Sequence, residues 1–282
     1  MKHKNRRLLT GILTAALALS LTACSNSPDS NASSQTLNDK GQVVLKVAAS
    51  PSPHAQILQS VREELLQQNI DLQIQEFTDY ILPNNALDSG DVDANFFQHK
   101  PYLDDFNAKN GTNLVSVGVV HFEPLGIFSG KTASLDQLAD GAEIAVPNDT
   151  TNEARALILL EKNGLITLKD GAGLQATVRD IQDNPKNLKF TELESAQLPR
   201  ALPDVDLAVI NGNSALEGGV YDKLIASEEV TDEAATTYAN ILAVRASDEN
   251  RPEIQALIKA LNTEKTREYI ISTYQDIFVP VF

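Results

Sequence analysis

The sequence predicts an α/β fold with mainly parallel strands. Strand-like apolar runs alternate with helical stripes from residue 43 onward, and no segment repeats at a fixed period. With 282 residues, 42% of them hydrophobic, the chain is long enough for one large or two medium domains, and so for two βαβ lobes. Such lobes commonly bind small ligands in a cleft facing the carboxyl ends of their strands.

Each element has a local reason. Residues 43–49 (VVLKVAA) form a strand, and the polar turn Ser50-Pro51-Ser52-Pro53 leads to a helix with Ile57, Leu58, Val61, Leu65 and Leu66 on one stripe. Leu72, Ile74 and the nearby Phe77 mark a second strand. A short helix follows Pro83, and residues 90–97 approach another strand-to-helix junction. The β-branched run 114–120 is a strand, and so is 144–146, where Pro147 stops the ladder. Thr150 with Glu153 three residues later fits a capping box, so a helix is expected from about Thr151 to the stop signal Asn163-Gly164. A helix around 176–182, a strand at 188–190, a helix across 196–202 and a strand at 207–210 follow. The chain closes with a strand at 241–244 and helices over 252–261 and 264–273.

The first residues are of another kind. MKHKNRR is basic, residues 8–21 are a short apolar stretch, and Leu21-Thr22-Ala23 puts small residues just before Cys24. This is the pattern of a bacterial lipoprotein signal over residues 1–23, with Cys24 as the lipid-modified first residue of the mature protein. The apolar stretch is too short to span a bilayer comfortably, whereas several acyl chains on one residue anchor a protein stably. Residues 24–42 are rich in Ser, Asn and Asp and read as a flexible tether. Cys24 is the only cysteine, which removes disulfides, CxxC metal sites and redox pairs.

The formal charge is −15, and because the four basic residues before Cys24 face no acid there, the remainder has 19 basic against 38 acidic residues, or −19. Such a surface repels nucleic acid and anionic lipid. It leaves the ligand open, since one buried Arg can bind an anion inside an acidic protein.

The stretch AVPNDTTNEAR, residues 145–155, is the strongest candidate for the working end of the chain. Asn152 and Arg155 sit three apart on the first turn of the expected helix, beside unpaired backbone N–H groups and the positive end of the helix dipole. That geometry suits a carboxylate. Capped helices after strands are common in α/β proteins, so plain packing remains the alternative for this stretch alone. Further polar clusters fall at strand ends: Tyr80 with its neighbours, residues 91–102 with Phe97 and His99, Asn211 after 208–210, and Asn240 after Tyr238. Taken singly, Phe97 and Tyr80 fit a core better than a ligand box, and Asn211 fits a turn.

His54, His99 and His121, with Glu123, raise the question of zinc. The histidines are far apart in sequence, with no H-x-H or E-x-x-H, so no metal site is expected, and a neutral His in a cleft can donate to a ligand or pack against it. Enzyme signals are thin. G-x-S-x-G and a P-loop are absent, and Gly171-Ala172-Gly173 lacks the third glycine of a dinucleotide loop. No cofactor is expected.

PSPHAQIL (51–58), DYILPNNAL (79–87), DVDANFFQHKPYLD (91–104), AVPNDTTNEARAL (145–157), AQLPRAL (196–202), AVIN (208–211) and YANILAVR (238–245) resemble the methionine-binding lipoproteins, the solute receptors of methionine ABC importers. The resemblance covers nearly all of the mature chain. It implies a two-lobed type II periplasmic-binding-protein fold with the ligand cleft between the lobes. Lobe one would run over 43–124 plus 238–282 and lobe two over 125–237. Carried over by motif, Arg155 pairs with the ligand carboxylate, helped by Asn152. Asn211 and Asn240 bond the ammonium or other main-chain groups of the ligand, and Tyr80, Phe97, His99 and His121 wall its side-chain pocket. One departure is Thr150, where the family is expected to have Pro. The implied partners are methionine, the permease and ATPase subunits of an importer, and a bilayer holding the acylated Cys24 on the extracytoplasmic face. Within the class, another small apolar amino acid or a methionine-containing dipeptide remains open. A zinc-binding lipoprotein and an adhesion lipoprotein lie outside it.

Overall fold

Two sheets, each with cores on both faces, organise residues 35–282, the part of the chain that the computed structural model describes. Cys24, the signal segment and tether residues 24–34 lie outside the described residues. In chain order the first strands are β1 (Val43–Ala49), β2 (Ile70–Glu76), β3 (Ala94–His99), β4 (Leu114–Phe122), β5 (Gly126–Ser129), β6 (Glu143–Pro147) and β7 (Thr167–Leu168). Then come β8 (Ile181–Asp183), β9 (Lys189–Leu193), β10 (Leu207–Ile210), β11 (Leu224–Ser227), β12 (Ala239–Arg245) and β13 (Val279–Pro280). The helices are α1 (Gln56–Gln67), α2 (Leu82–Ser89), α3 (Lys100–Asn110), α4 (Thr150–Lys162) and α5 (Leu198–Ala201). After these follow α6 (Gly212–Glu217), α7 (Asp232–Thr237), α8 (Pro252–Leu261) and α9 (Glu264–Tyr274).

The first sheet has the order β13-β4-β12-β3-β1-β2, and the second β11-β5-β10-β6-β9. The chain passes from first to second between β4 and β5 and returns between α7 and β12. The architecture is therefore two-lobed. The strands are less parallel than the alternation suggested: β1 pairs in parallel with β2 and β3, and β6 with β9 and β10, but β4, β5, β11, β12 and β13 pair antiparallel. The reason lies in the two crossings, which feed strands into each sheet without a βαβ unit, so no crossover helix enforces a parallel direction.

Strand alternation assigns residues to the two faces. In β1, Leu45, Val47 and Ala49 face the core under α1, α8 and α9, while Ala48 faces Leu87, Leu103 and Phe106 of α2 and α3. In β12, Leu242 and Val244 go to the former and Ile241 and Ala243 to the latter. The second sheet repeats this: Ile144, Val146, Leu207 and Val209 pack against Leu157 and Leu160 of α4, with Ala145, Ala208 and Ile210 on the other face against Leu198 and Leu202. A one-residue slip in any of these strands would exchange both faces, so burial of about 1.5–3 kcal/mol per large side chain fixes the register.

Two local expectations are corrected. Asp149, not Thr150, caps α4, its Oδ1 accepting from the Asn152 N–H at 3.0 Å. Glu153 instead accepts from the Val178 amide at 3.0 Å, tying α4 to a later loop. The segment expected as a helix around 176–182 is one 3-10 turn, Val178–Asp180, running into β8, with Thr177 and Asp180 forming the capping box. Ala176 is buried by tertiary packing, whereas Val178 and Ile181 are half-buried and Arg179 and Gln182 exposed. The end of α4 is as expected, with Gly164 at φ 70.

Candidate ligand-binding site

The carboxyl ends of β3, β4, β6 and β10 and the start of β12 converge on one cavity. Its wall includes Tyr80, Phe97, His99, Asn152, Arg155, Asn211 and Asn240, seven of the eight ligand-contacting residues expected from the sequence. His121 is the exception. It is fully buried one layer behind the wall, its ring against Phe96 and Phe278 and its Nε2 2.7 Å from Glu123 Oε1. In β4 it lies opposite Asn240 of β12. The wall also contains Gln98, Tyr102 and Asn213, which the sequence did not single out, and Glu123, which it raised only as a metal-ligand candidate.

The start of α4 is organised around Asp149 and Asn152. Asn152 donates through Nδ2 to both Asp149 oxygens at 3.0 Å, which turns its Oδ1 toward the cavity. There Oδ1 gathers the Asn211 Nδ2 at 3.0 Å, the His99 Nε2 at 3.1 Å and the Arg155 Nη1 at 3.3 Å. His99 caps α3, its Nδ1 accepting from the Tyr102 N–H at 3.2 Å, so its proton sits on Nε2 and donates to Asn152. Burial and the nearby Arg155 charge lower the His99 pKa to about 3, which keeps the ring neutral.

Arg155 is 3% exposed. Its Nε and Nη2 bond the Glu228 carboxylate at 3.1 and 2.6 Å, Nη2 also reaches the Glu123 carbonyl at 3.3 Å, and the guanidinium stacks 4.2 Å from the Tyr238 ring centre. Glu228 is the residue that sequence reading missed, because its pairing with Arg155 spans 73 positions and follows no local pattern. One edge of the guanidinium is thus committed to Glu228, the second Nη2 N–H goes to the Glu123 carbonyl and one Nη1 N–H to Asn152, which leaves the other Nη1 N–H for a small anion.

Aromatic rings form the opposite wall. Tyr80, Phe97 and Tyr102 lie 5.9 to 6.0 Å apart by ring centres, mostly edge to face. The Tyr80 hydroxyl donates to Asn213 Oδ1 at 2.6 Å, and Tyr102 donates to the Tyr80 carbonyl at 2.8 Å. Tyr80 to Asn213 and His99 to Asn152 are hydrogen bonds between residues carried by different sheets. Ser52 N to Glu217 at 3.4 Å and Lys109 to Thr150 add two more. Gly212 permits this closeness, since a Cβ there would meet Phe278 at 2.8 Å and the Glu123 Cβ at 3.3 Å.

Among the described residues, one group has metal-ligand composition: His54, His121 and Glu123, with ligand atoms all within 4.8 Å of one another. Sequence spacing hid this grouping, and His99 is not part of it. The histidines converge through Nε2, at 3.4 and 2.7 Å from Glu123 Oε1. A metal held by both Nε2 atoms would require each Nδ1 to carry a proton, and both Nδ1 atoms are buried with no acceptor. The donor set is therefore arranged for hydrogen bonding. Burial lowers the pKa of His54 to about 4 and of His121 to about 3.

Comparison with known proteins agrees with this geometry. Residues 45–282 match the family described as NlpA lipoprotein. The D-methionine-binding lipoprotein MetQ of Escherichia coli K12 is 42% identical over 217 residues, 76% of this chain and 78% of that protein. The probable D-methionine-binding lipoprotein MetQ of Haemophilus influenzae is 40% identical over 98% of both chains. A nutrient-binding protein from Burkholderia cenocepacia, whose structure was solved bound to methionine, is 44% identical and superposes with a TM-score of 0.80 over 84% of this chain and all of that one. The chain belongs to the NlpA lipoprotein family.

Proposed function

We propose that this protein binds methionine in the cavity between its two sheets and delivers it to an ABC importer. The observation that carries the reading is the pairing, in one cavity, of an arginine at a helix start with a wall of aromatic rings. An α-carboxylate is received at the free Nη1 N–H of Arg155, whose guanidinium Asn152 Oδ1 orients, and a thioether gains contact with Tyr80, Phe97 and Tyr102. Asn211 and Asn240 supply further hydrogen bonds to the ligand main chain. The methionine-binding names of the relatives and the methionine-bound neighbour support the same ligand.

The lobes are taken as 43–124 plus 238–282 and 125–237, hinged at the two crossings. Ligand contacts made only in the closed state draw them together, and the closed form docks on the permease. No bond is made or broken, so the protein is a receptor and not an enzyme. A neighbour from Coxiella burnetii, an ABC transporter periplasmic substrate-binding protein, supports the transport role. Lipid on Cys24 holds the receptor to the extracytoplasmic face of the membrane.

The test is mass spectrometry of the small molecule released when the protein, purified from residue 25 onward, is denatured. Methionine is the expected species. Recovery of a sugar, or of stoichiometric zinc without an amino acid, overturns the reading.

A further inference from the structure

Glu123 lies in the cavity wall, 7% exposed, at the crossing from β4 to β5. Its carboxylate accepts two hydrogen bonds and lies beside a third N–H. Oε1 is 2.7 Å from His121 Nε2 and 3.4 Å from His54 Nε2, and Oε2 accepts from the Asn213 N–H at 3.0 Å. His54 Nε2 also lies 3.0 Å from Asn240 Oδ1, an acceptor only, so the His54 proton is on Nε2. The same tautomer in His121 leaves both Nδ1 atoms as bare buried lone pairs, which cost less than orphaned N–H donors.

With the His121 Nε2–H and the Asn213 N–H donated to its two oxygens and the His54 N–H beside them, Glu123 has no proton to share and is an anion. The other charges nearby are already matched. Arg155 is paired with Glu228 and touches only the backbone carbonyl of Glu123, and Asp149 is satisfied at the cap of α4. Tyr80 and Glu217 also face Glu123 and supply no cation. A buried carboxylate without a counter-cation is expensive, and burial pushes its pKa upward against the pull of His54, the Asn213 amide and Arg155.

We propose that Glu123 is the anion that receives the ammonium group of the ligand, and that His54 and His121 are positioning residues that hold its carboxylate toward the cavity. This rests on the reading of the ligand as an amino acid. It divides the site in two: the arginine takes the carboxylate, and Glu123, a layer in front of the histidine pair, takes the amine. Asn240, whose Oδ1 is engaged by His54, presents its Nδ2 as a donor.

The test is calorimetric titration of methionine and of its α-hydroxy analogue, which keeps the side chain and carboxylate but replaces the ammonium with a hydroxyl. Wild-type protein is expected to prefer methionine by about tenfold or more, as for a charge-assisted bond. E123Q is expected to lose most of that preference while binding the hydroxy analogue within about threefold of wild type, and E123D, with its charge retained, to keep part of it. H121F, a positioning change, is expected to lower the same ratio, whereas a merely structural residue would weaken both ligands alike. Circular dichroism establishes that the variants are folded, and a wild-type preference ratio in folded E123Q overturns the proposal. If wild-type protein binds no methionine, the amino-acid reading itself falls, and this inference with it.

Discussion

Arg155 and Glu228 form a two-point ion pair at the edge of the cavity, Nε to Oε1 at 3.1 Å and Nη2 to Oε2 at 2.6 Å, with Glu228 Oε2 also accepting from the Leu125 amide at 2.9 Å. The carboxylate is anchored at the β4–β5 crossing and fixes the guanidinium plane before any ligand arrives. Preorganisation of this kind lowers the ordering cost of binding.

Removing Glu228 leaves a buried cation without its partner, a change that costs about 3–5 kcal/mol. Glu228→Ala is therefore expected to lower the melting temperature of ligand-free protein by several degrees. Saturating methionine should recover part of the loss, because its carboxylate supplies a new counter-charge. Calorimetric melting with and without ligand checks this, and an unchanged melting temperature would show that the pair contributes nothing to the fold.

Arg155→Ala removes the N–H assigned to the ligand carboxylate. The lost charge-assisted contact is worth about 1.5–3 kcal/mol, or roughly a tenfold or larger rise in Kd for methionine. Equilibrium titration reads the effect directly. Unchanged affinity would take Arg155 out of the site.

Tyr80→Phe keeps the ring in the aromatic wall but deletes the hydroxyl that donates to Asn213 across the two lobes. Loss of one closed-state hydrogen bond is expected to weaken binding by about 1 kcal/mol and to shift ligand-free protein toward an open form. Titration measures the first effect and small-angle scattering the second. A wild-type radius of gyration together with wild-type affinity would dismiss the contact as a latch.

Acidification should destabilise the fold through its buried histidines. His54, His99 and His121 have folded pKa values of about 4, 3 and 3, below the ordinary 6.5, so between pH 6.5 and 4 the unfolded chain binds more protons. Their contribution is fully present above pH 6.5 and is lost as pH falls through that window, with a slope of up to about 1.4 kcal/mol per unit for each. Glu217, raised to about 7 by burial, opposes it. His99→Gln does not titrate, so its unfolding free energy should depend less steeply on pH than that of wild type. Equal slopes in denaturant titrations at several pH values would contradict the assignment.

Much of the fold was legible because it is written in local periods. The alternation in 144–146 and 207–210 and the stripe of α1 specify buried faces whatever the rest of the chain does. Segment 176–182 was misread as a helix, because Asp180 and Thr177 close a tighter turn. Antiparallel pairing of β4 with β12 was also invisible, since strand direction depends on how the chain crosses between sheets.

The sequence by itself determined the α/β class and the placement of Asn152 and Arg155 on one turn at a helix start. Their spacing along a single helix makes that last point a matter of local geometry. Only the tertiary structure decided that Glu228 meets Arg155, that His121 stands behind the wall, and that His54 and Glu123, 69 positions apart, share one buried cluster. Charges and hydrogen-bond donors act through space over a few ångströms, and the distance between them is set by how the two sheets close on each other.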